Sequence, residues 1–176
     1  MSDFIQFLVA GLALGSIYSL VCLGFVVVYR ATGVLNFAQG SLVVLGAFLT
    51  HEFAVRQALP FAVAVLLATL LVALVGVALE RLIFRPMVGQ PTFAMILITL
   101  GVVFVLDQIS AARWGYDVLL LGDPWGVDTI AVAGASVKVA DLWTMGAAGF
   151  ALLSLFLLFQ RSTLGIAMRA GAADPE

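Results

Sequence analysis

The sequence is poor in charged residues and in the side chains that build catalytic or metal centres. Only 10% of its 176 residues are charged, against about a quarter in a typical globular protein. One cysteine and one histidine exclude an intrachain disulfide and a zinc cluster of these two residue types. A net charge of −2 gives no basic surface for nucleic acid. The single lysine, Lys138, follows no glycine-rich phosphate-binding loop. We therefore expect no cofactor, no metal and no ATP hydrolysis by this chain alone.

Apolar residues, in contrast, make up 64% of the sequence, and the mean hydropathy is +1.19. Because a helix rises about 1.5 Å per residue, about 20 apolar residues cross the hydrocarbon core of a bilayer. Five stretches approach or exceed this length, at residues 4–29, 33–50, 61–79, 92–112 and 142–160. The sequence therefore predicts an all-α, polytopic membrane protein with about five transmembrane helices, forming one membrane domain over residues 1–176.

The basic residues predict the orientation of these helices. Asp3 precedes the first stretch and Arg30 follows it, which favours an extracytoplasmic N-terminus. With five crossings, five of the eight basic residues lie on the cytoplasmic side, whereas the count is even if 33–50 does not cross. We therefore predict the N-terminus outside and the C-terminus in the cytoplasm. The connection 113–141 would then be an extracytoplasmic loop, and its residues 129–140 have the pattern of a short hairpin on the membrane face.

The second stretch, 33–50, contains polar side chains that apolar surroundings do not readily accept. Asn36 is the only asparagine in the chain, and Gln39, Gly40 and Ser41 follow it. An unpaired amide in hydrocarbon costs several kcal/mol. Either these amides bond to neighbouring helices or lie near the headgroups, or the segment is an interrupted or closely packed helix lining a path for a polar solute. The residues alone leave both interpretations open.

Charged side chains near the other stretches have simpler interpretations. Arg81 and Arg85 are four residues apart, and Pro86 is expected to end the helix there. This pair indicates cytoplasmic anchors, with lipid phosphates or an acidic partner surface as alternatives. Asp107 is the only acid within an apolar stretch. We expect it to be structural, because it lies near one end of its helix.

Three motifs together resemble the permease subunits of bacterial branched-chain amino-acid ABC transporters, of the LivH type. Residues 11–48 contain the family's TG-V-x-NFA-x-G sequence, and 80–91 contain an ER-x-x-x-RP loop. Residues 161–176 resemble the start of the cytoplasmic loop that couples the permease to its ATPase. The matching residues in the first and third motifs are Thr32, Gly33, Val34, Asn36, Phe37, Ala38 and Gly40, then Thr163, Gly165, Arg169, Ala170, Asp174, Pro175 and Glu176.

The resemblance implies a permease of the bacterial inner membrane that translocates branched-chain or related amino acids. Its partners would be a second permease subunit of the LivM type, two cytoplasmic ATP-binding subunits and a periplasmic substrate-binding protein. The lipid bilayer would surround the two permease subunits. The implied substrate-path residues are Gly33, Asn36, Gln39, Gly40 and Ser41. The implied ATPase-coupling residues are Gly165, Arg169 and Ala170.

Two departures from the family pattern affect these expectations. The family often has histidine where Gln39 stands and glutamate where Ser41 stands, which leaves urea or short amides as alternative substrates. Family members also continue past the coupling loop into further helices. We therefore expect this chain to be a partial, C-terminally truncated permease domain.

Functions of other classes remain as alternatives. A channel or secondary transporter predicts a deep coupling acid or base, and only the shallow Asp107 is available. A membrane enzyme needs clustered nucleophiles, bases or paired carboxylates, which the sequence lacks, so we do not expect an enzyme. A purely structural membrane scaffold is a further alternative for a truncated chain.

Overall fold

The computed structural model describes residues 2–33, 35–87, 89–121, 128–132 and 135–161. The chain divides into two compact units. The first unit comprises Met1–Gly33 and Trp125–Glu176, and the second unit comprises Val34–Pro124. The elements in chain order are α1 (Ser2–Thr32), α2 (Gln39–His51), α3 (Phe61–Leu79), α4 (Thr92–Trp114), β1 (Thr129–Val132), β2 (Ala135–Lys138) and α5 (Val139–Arg161).

Four helical segments in the described part of the chain are long and apolar enough to cross a membrane. They are Asp3–Arg30, Phe61–Met87, Thr92–Trp114 and Val139–Leu157. The all-α, polytopic class is thereby confirmed, with one small hairpin added to it. Helix α2 has 13 residues, and its segment is not among those long and apolar enough to cross a membrane. It begins at Gln39 rather than at residue 33 as predicted. The fifth crossing and the orientation of the termini stay predictions.

The first unit packs α1 against α5 and against strand β2. Small side chains mediate the close packing, since Ala13 of α1 and Ala148 of α5 are buried. Val137 of β2 is the largest fully buried side chain among the described residues. The antiparallel hairpin pairs Thr129 with Lys138, which confirms the hairpin predicted within 129–140. Helix α5 then begins directly after the hairpin.

The second unit contains α2, α3 and α4. Prolines fix the starts of α3 and α4: Pro60 and Pro91 precede the helices with ψ of 135° and 140°, and a proline's locked φ and absent N–H suit this position. A core of Ala38, Leu45, Val102 and Leu106 joins α2 to α4. Partly buried residues surround this core, namely Leu42, Leu49, Val72, Val75, Leu79, Ile83, Val103 and Trp114.

Two helices of the second unit change their backbone geometry at their C-terminal ends. Helix α2 continues as a π-helical turn, Glu52–Arg56. Helix α3 continues as a π-helical turn, Glu80–Phe84, and then as a 3₁₀ turn, Arg85–Met87. The helical backbone therefore passes through Pro86 and stops one residue later. π-Helical turns are rare and often occur at functional sites, and each of these carries charged residues.

Candidate functional site

The predicted path segment lies at the start of α2, and Asn36 shapes the turn that leads into the helix. Its side-chain Oδ1 accepts a hydrogen bond from the Ala38 backbone N–H at 3.0 Å. Its backbone carbonyl accepts one from the Gln39 N–H at 3.2 Å. This is an Asx turn over residues 36–38 within a β-turn over residues 36–39, and in the Asx turn a side chain supplies the acceptor that the backbone does not. Half-buried Asn36 therefore has a local structural role, whatever else it contacts.

The three polar or small residues that follow are distributed over different faces of α2. Ser41 is buried, on the same face as the core residues Ala38 and Leu45. Gln39 is half-buried, and Gly40 is exposed. The structure therefore brings Asn36, Gln39, Gly40 and Ser41 together at one helix end without directing them all to one surface.

The two glycines of the predicted set differ in backbone conformation. Gly33, in the first unit, has φ +71° and its N–H donates to the Tyr29 carbonyl at 2.7 Å, which ends α1. Gly33 therefore follows the last residue of α1, and α2 begins six residues later, at Gln39. Gly40 lies inside α2, and no described atom comes within 4 Å of a Cβ added there. Gly40 is therefore a helical residue without a close neighbour among the described residues. The coupling residues Gly165, Arg169 and Ala170 lie outside the described residues.

The other end of α2 carries a set of side chains that the sequence analysis did not bring together. We call Phe48, Glu52, Arg56, Arg113 and Trp114 the Glu52 cluster. The Glu52 carboxylate accepts hydrogen bonds from Arg113 at 2.7 Å, from the Trp114 indole N–H at 2.9 Å and from Arg56 at 3.3 Å. A single carboxylate thereby joins the end of α2 to the end of α4.

Aromatic packing supports the same junction. The rings of Phe48 and Trp114 stack with centroids 5.3 Å apart and an interplanar angle of 7°. The Arg113 guanidinium carbon lies 5.8 Å from the centre of the Trp114 ring, within range of a cation–π interaction. The Glu52 side chain is only 14% exposed, whereas the two arginines are about half exposed. The cluster is thus apolar beneath and cationic at its surface.

The environment of Glu52 keeps its carboxylate ionised. The hydrogen bond from Trp114 lowers the pKa of Glu52 most, and Arg113, Arg56 and His51 lower it further, while partial burial opposes them. The resulting pKa lies below the ordinary value of 4.5. The neighbouring His51 is buried, and its Nδ1 has no hydrogen-bond partner among the described residues.

The sequence contained part of the signal for this cluster. Glu52 and Arg56 have the i,i+4 spacing of a helical ion pair, and Phe48 is one turn earlier. Arg113 and Trp114 are more than 60 residues away, and no local pattern connects them to Glu52. Asp107, in α4, has an exposed side chain.

Comparison with known proteins places this architecture in a family. Residues 7–176 match the family described as "Branched-chain amino acid transport system / permease component". The chain belongs to this family. The four long apolar helices of the described residues suit a multi-pass membrane protein of this family. The predicted resemblance is therefore confirmed.

Curated relatives in this permease family are similar over almost the whole chain. The high-affinity branched-chain amino acid permease protein LivH of Escherichia coli (strain K12) is 26% identical over 97% of this chain and 59% of its own length. LivH of Salmonella typhimurium gives the same values. BraD of Pseudomonas aeruginosa is 25% identical over 97% of the chain and 60% of its own length. The chain thus spans about three-fifths of these relatives. No solved structure gave a significant match.

Proposed function

We propose that this chain belongs to a permease subunit that moves branched-chain or related amino acids across the inner membrane. The observation that carries the proposal is the family match over residues 7–176. The protein performs no covalent chemistry on its cargo. It changes between inward-open and outward-open conformations, and separate ATPase subunits bias that equilibrium because they bind one conformation better.

The start of α2 supplies the groups for the substrate path in this proposal. In the first turn of a helix, the backbone N–H groups have no intrahelical acceptor and carry a partial positive charge. Gly40 belongs to that turn, so its N–H suits contact with an amino-acid carboxylate. The Gln39 N–H already donates to the Asn36 carbonyl, so Gln39 would contribute its side-chain amide instead. Gly33 and Asn36 shape the backbone before it, and buried Ser41 supports it from the core side. The exposed position of Gly40 supports this assignment.

The partners in this proposal are those of an ABC importer. A second permease subunit of the LivM type completes the membrane core, two ATP-binding subunits bind on the cytoplasmic side, and a substrate-binding protein delivers the amino acid. In this proposal the ATPase is contacted by Gly165, Arg169 and Ala170. The guanidinium group of Arg169 would donate hydrogen bonds to acidic or carbonyl groups of the ATPase. The family's description as one component of a transport system supports the existence of further subunits.

The experiment is uptake of labelled leucine into bacteria lacking their own branched-chain permeases. The reading frame containing this chain is expressed at full length with its neighbouring permease, ATPase and binding-protein genes. We expect leucine uptake that depends on the ATPase, and co-purification of the ATPase with the permease. A labelled urea arm uses the same cells to separate the two substrate classes.

The variant Asn36→Leu, made in the same complex, tests the path assignment. We expect lower uptake with little loss of co-purified subunits. Uptake at the unmodified level would remove Asn36 from the path. Urea uptake without leucine uptake would change the proposed substrate from amino acids to urea. Failure to co-purify any ATPase would overturn the importer proposal itself.

A further inference from the structure

Two arginines at the end of α3 lack the carboxylate that the arginines of the Glu52 cluster share. Arg81 and Arg85 are both exposed, in the π-helical and 3₁₀ turns that extend the helix. Within the described ranges neither of them forms an ion pair, although Glu80 is adjacent in sequence. Two neighbouring guanidinium groups without an internal counter-ion are suited to bind an anion from outside the chain.

Exposed apolar side chains of α3 lie on the same face of the helix as Arg81. Leu66, Leu70 and Leu74 are each more than half exposed, and Val77 is 49% exposed. Steps of three and four residues connect these side chains to Arg81, so they lie on one face of the helix. We call Leu66, Leu70, Leu74 and Val77 the leucine face.

The backbone after α3 keeps the second arginine near the first. In a π-helical turn the hydrogen bonds connect residues five apart, so a residue four positions later remains close to the same face. Arg85 is four positions after Arg81, across the turn Glu80–Phe84. The leucine face therefore ends in a pair of arginines, at the end of the membrane-crossing segment Phe61–Met87.

We propose that Arg81 and Arg85 hold the headgroup phosphate of an anionic phospholipid whose acyl chain lies along the nearer part of the leucine face, from Val77 to Leu70. From Arg81 back to Leu70 the helix rises about 16 Å, about half the hydrocarbon thickness and hence the depth of one leaflet. The arginines then lie at headgroup level, where basic residues attract anionic lipid. Guanidinium groups also match the geometry of phosphate oxygens.

The leucine face distinguishes a lipid from an acidic protein surface as the bound partner. A partner that provided only carboxylates would account for the arginines but would leave the continuous apolar surface behind them unexplained. A phospholipid accounts for both parts. Its phosphate would lie beside the arginines at headgroup level, and its acyl chain would extend from there along the apolar side chains.

The experiment measures the effect of lipids on the thermal unfolding of the full-length chain, purified in detergent. Phosphatidylglycerol, phosphatidylcholine and inorganic phosphate are titrated separately. We expect phosphatidylglycerol to raise the Tm of the wild type at lower concentration than phosphatidylcholine does, and inorganic phosphate to have no effect. In the double variant Arg81→Gln/Arg85→Gln the apparent affinity for phosphatidylglycerol falls roughly tenfold or more. Each single variant loses part of that affinity.

The matched control is Arg30→Gln, which removes one exposed arginine from the last turn of α1. We expect it to keep the preference for phosphatidylglycerol. An equal loss in this control would mean general attraction of basic residues to anionic lipid and would overturn the proposal. So would a response to inorganic phosphate equal to that for phosphatidylglycerol, or an unchanged lipid preference in the double variant. No outcome depends on transport, so the result is independent of the proposed function.

Discussion

The two ends of α2 are held in place by different kinds of interaction. At the start, Asn36 bonds to the backbone of residues two and three positions later. At the end, Glu52 bonds to Arg113 and Trp114, which are more than 60 positions later. The first arrangement fixes a turn and can form without the rest of the fold. The second requires α4 to be in place, so it contributes to the tertiary structure of the unit.

This difference suits the work proposed for each end. A substrate path requires backbone groups that are presented to a solute, and a local turn presents them without covering them. A junction between helices requires side chains that reach across, and the Glu52 cluster has both an aromatic stack and charge-assisted hydrogen bonds. The two ends should therefore respond differently to mutation.

Removing the aromatic ring of α4 that packs against the end of α2 should have the largest effect on stability. Trp114→Ala loses the stack on Phe48, the contact with Arg113 and the hydrogen bond to Glu52. We expect the free energy of unfolding to fall by about 3 kcal/mol, measured by thermal unfolding in detergent. Tyr116→Ala is the matched control, because Tyr116 is 84% exposed. A similar loss in both variants would contradict a specific role for Trp114.

Neutralising the carboxylate should loosen the same end to a smaller extent. In Glu52→Gln, the Trp114 N–H keeps an acceptor, but Arg56 and Arg113 lose their counter-ion. We expect faster amide hydrogen exchange at residues 52–60, detected by mass spectrometry. The control is Glu80→Gln, at the exposed end of α3, which should leave hydrogen exchange at residues 52–60 unchanged. Unchanged exchange in Glu52→Gln would show that the aromatic stack alone holds the junction.

The same carboxylate should make stability depend on pH in the acid range. Because the folded-state pKa of Glu52 is lowered, its contribution is fully present above the ordinary pKa of 4.5. It is lost as the pH falls through the lower, folded-state pKa. We expect the Tm difference between wild type and Glu52→Gln to shrink as the pH falls from neutral to below 4.5. Since other titrating groups are common to both proteins, a constant difference would contradict the shift.

At the start of α2, loss of the amide should have a moderate and purely local effect. Asn36→Ala removes the acceptor for the Ala38 N–H, and such changes cost about 1 kcal/mol. Asn36→Asp keeps an acceptor oxygen and should retain most of the stability. Both are measured by thermal unfolding. If the aspartate variant were as unstable as the alanine variant, the hydrogen bond would not be the cause.

Gly40→Ala should have the smallest effect on stability, and it distinguishes a role in transport from a role in folding. Gly40→Ala adds a methyl group into open space within a helix, so stability should be unchanged or rise by about 0.5–1 kcal/mol. In the uptake assay the same variant should lower transport, because the methyl group would narrow the proposed path. Gly33→Ala should instead lower stability by about 1 kcal/mol, owing to its positive φ. Normal uptake by Gly40→Ala would remove Gly40 from the path.

Much of the fold was predictable because its signals are local. Apolar length identified α1, α3, α4 and α5, and alternation around Gly134 identified the hairpin. The exact start of α2 was not predictable from hydropathy, because the apolar residues before Gln39 continue without a change of composition. The turn at Asn36 decides it. Similarly, the direction of Ser41 toward the core depends on how α2 packs against its neighbours.

Apolar length and contiguous motifs identify a helical membrane protein of the branched-chain amino-acid permease family without any knowledge of contacts between residues. Which charges are paired depends instead on how the helices pack. Arg56 and Arg113 meet Glu52, whereas Arg81 and Arg85 meet no carboxylate among the described residues. The physical reason is that ion pairing depends on distances of a few ångströms between side chains, and residues 61 positions apart acquire such distances only when their helices pack.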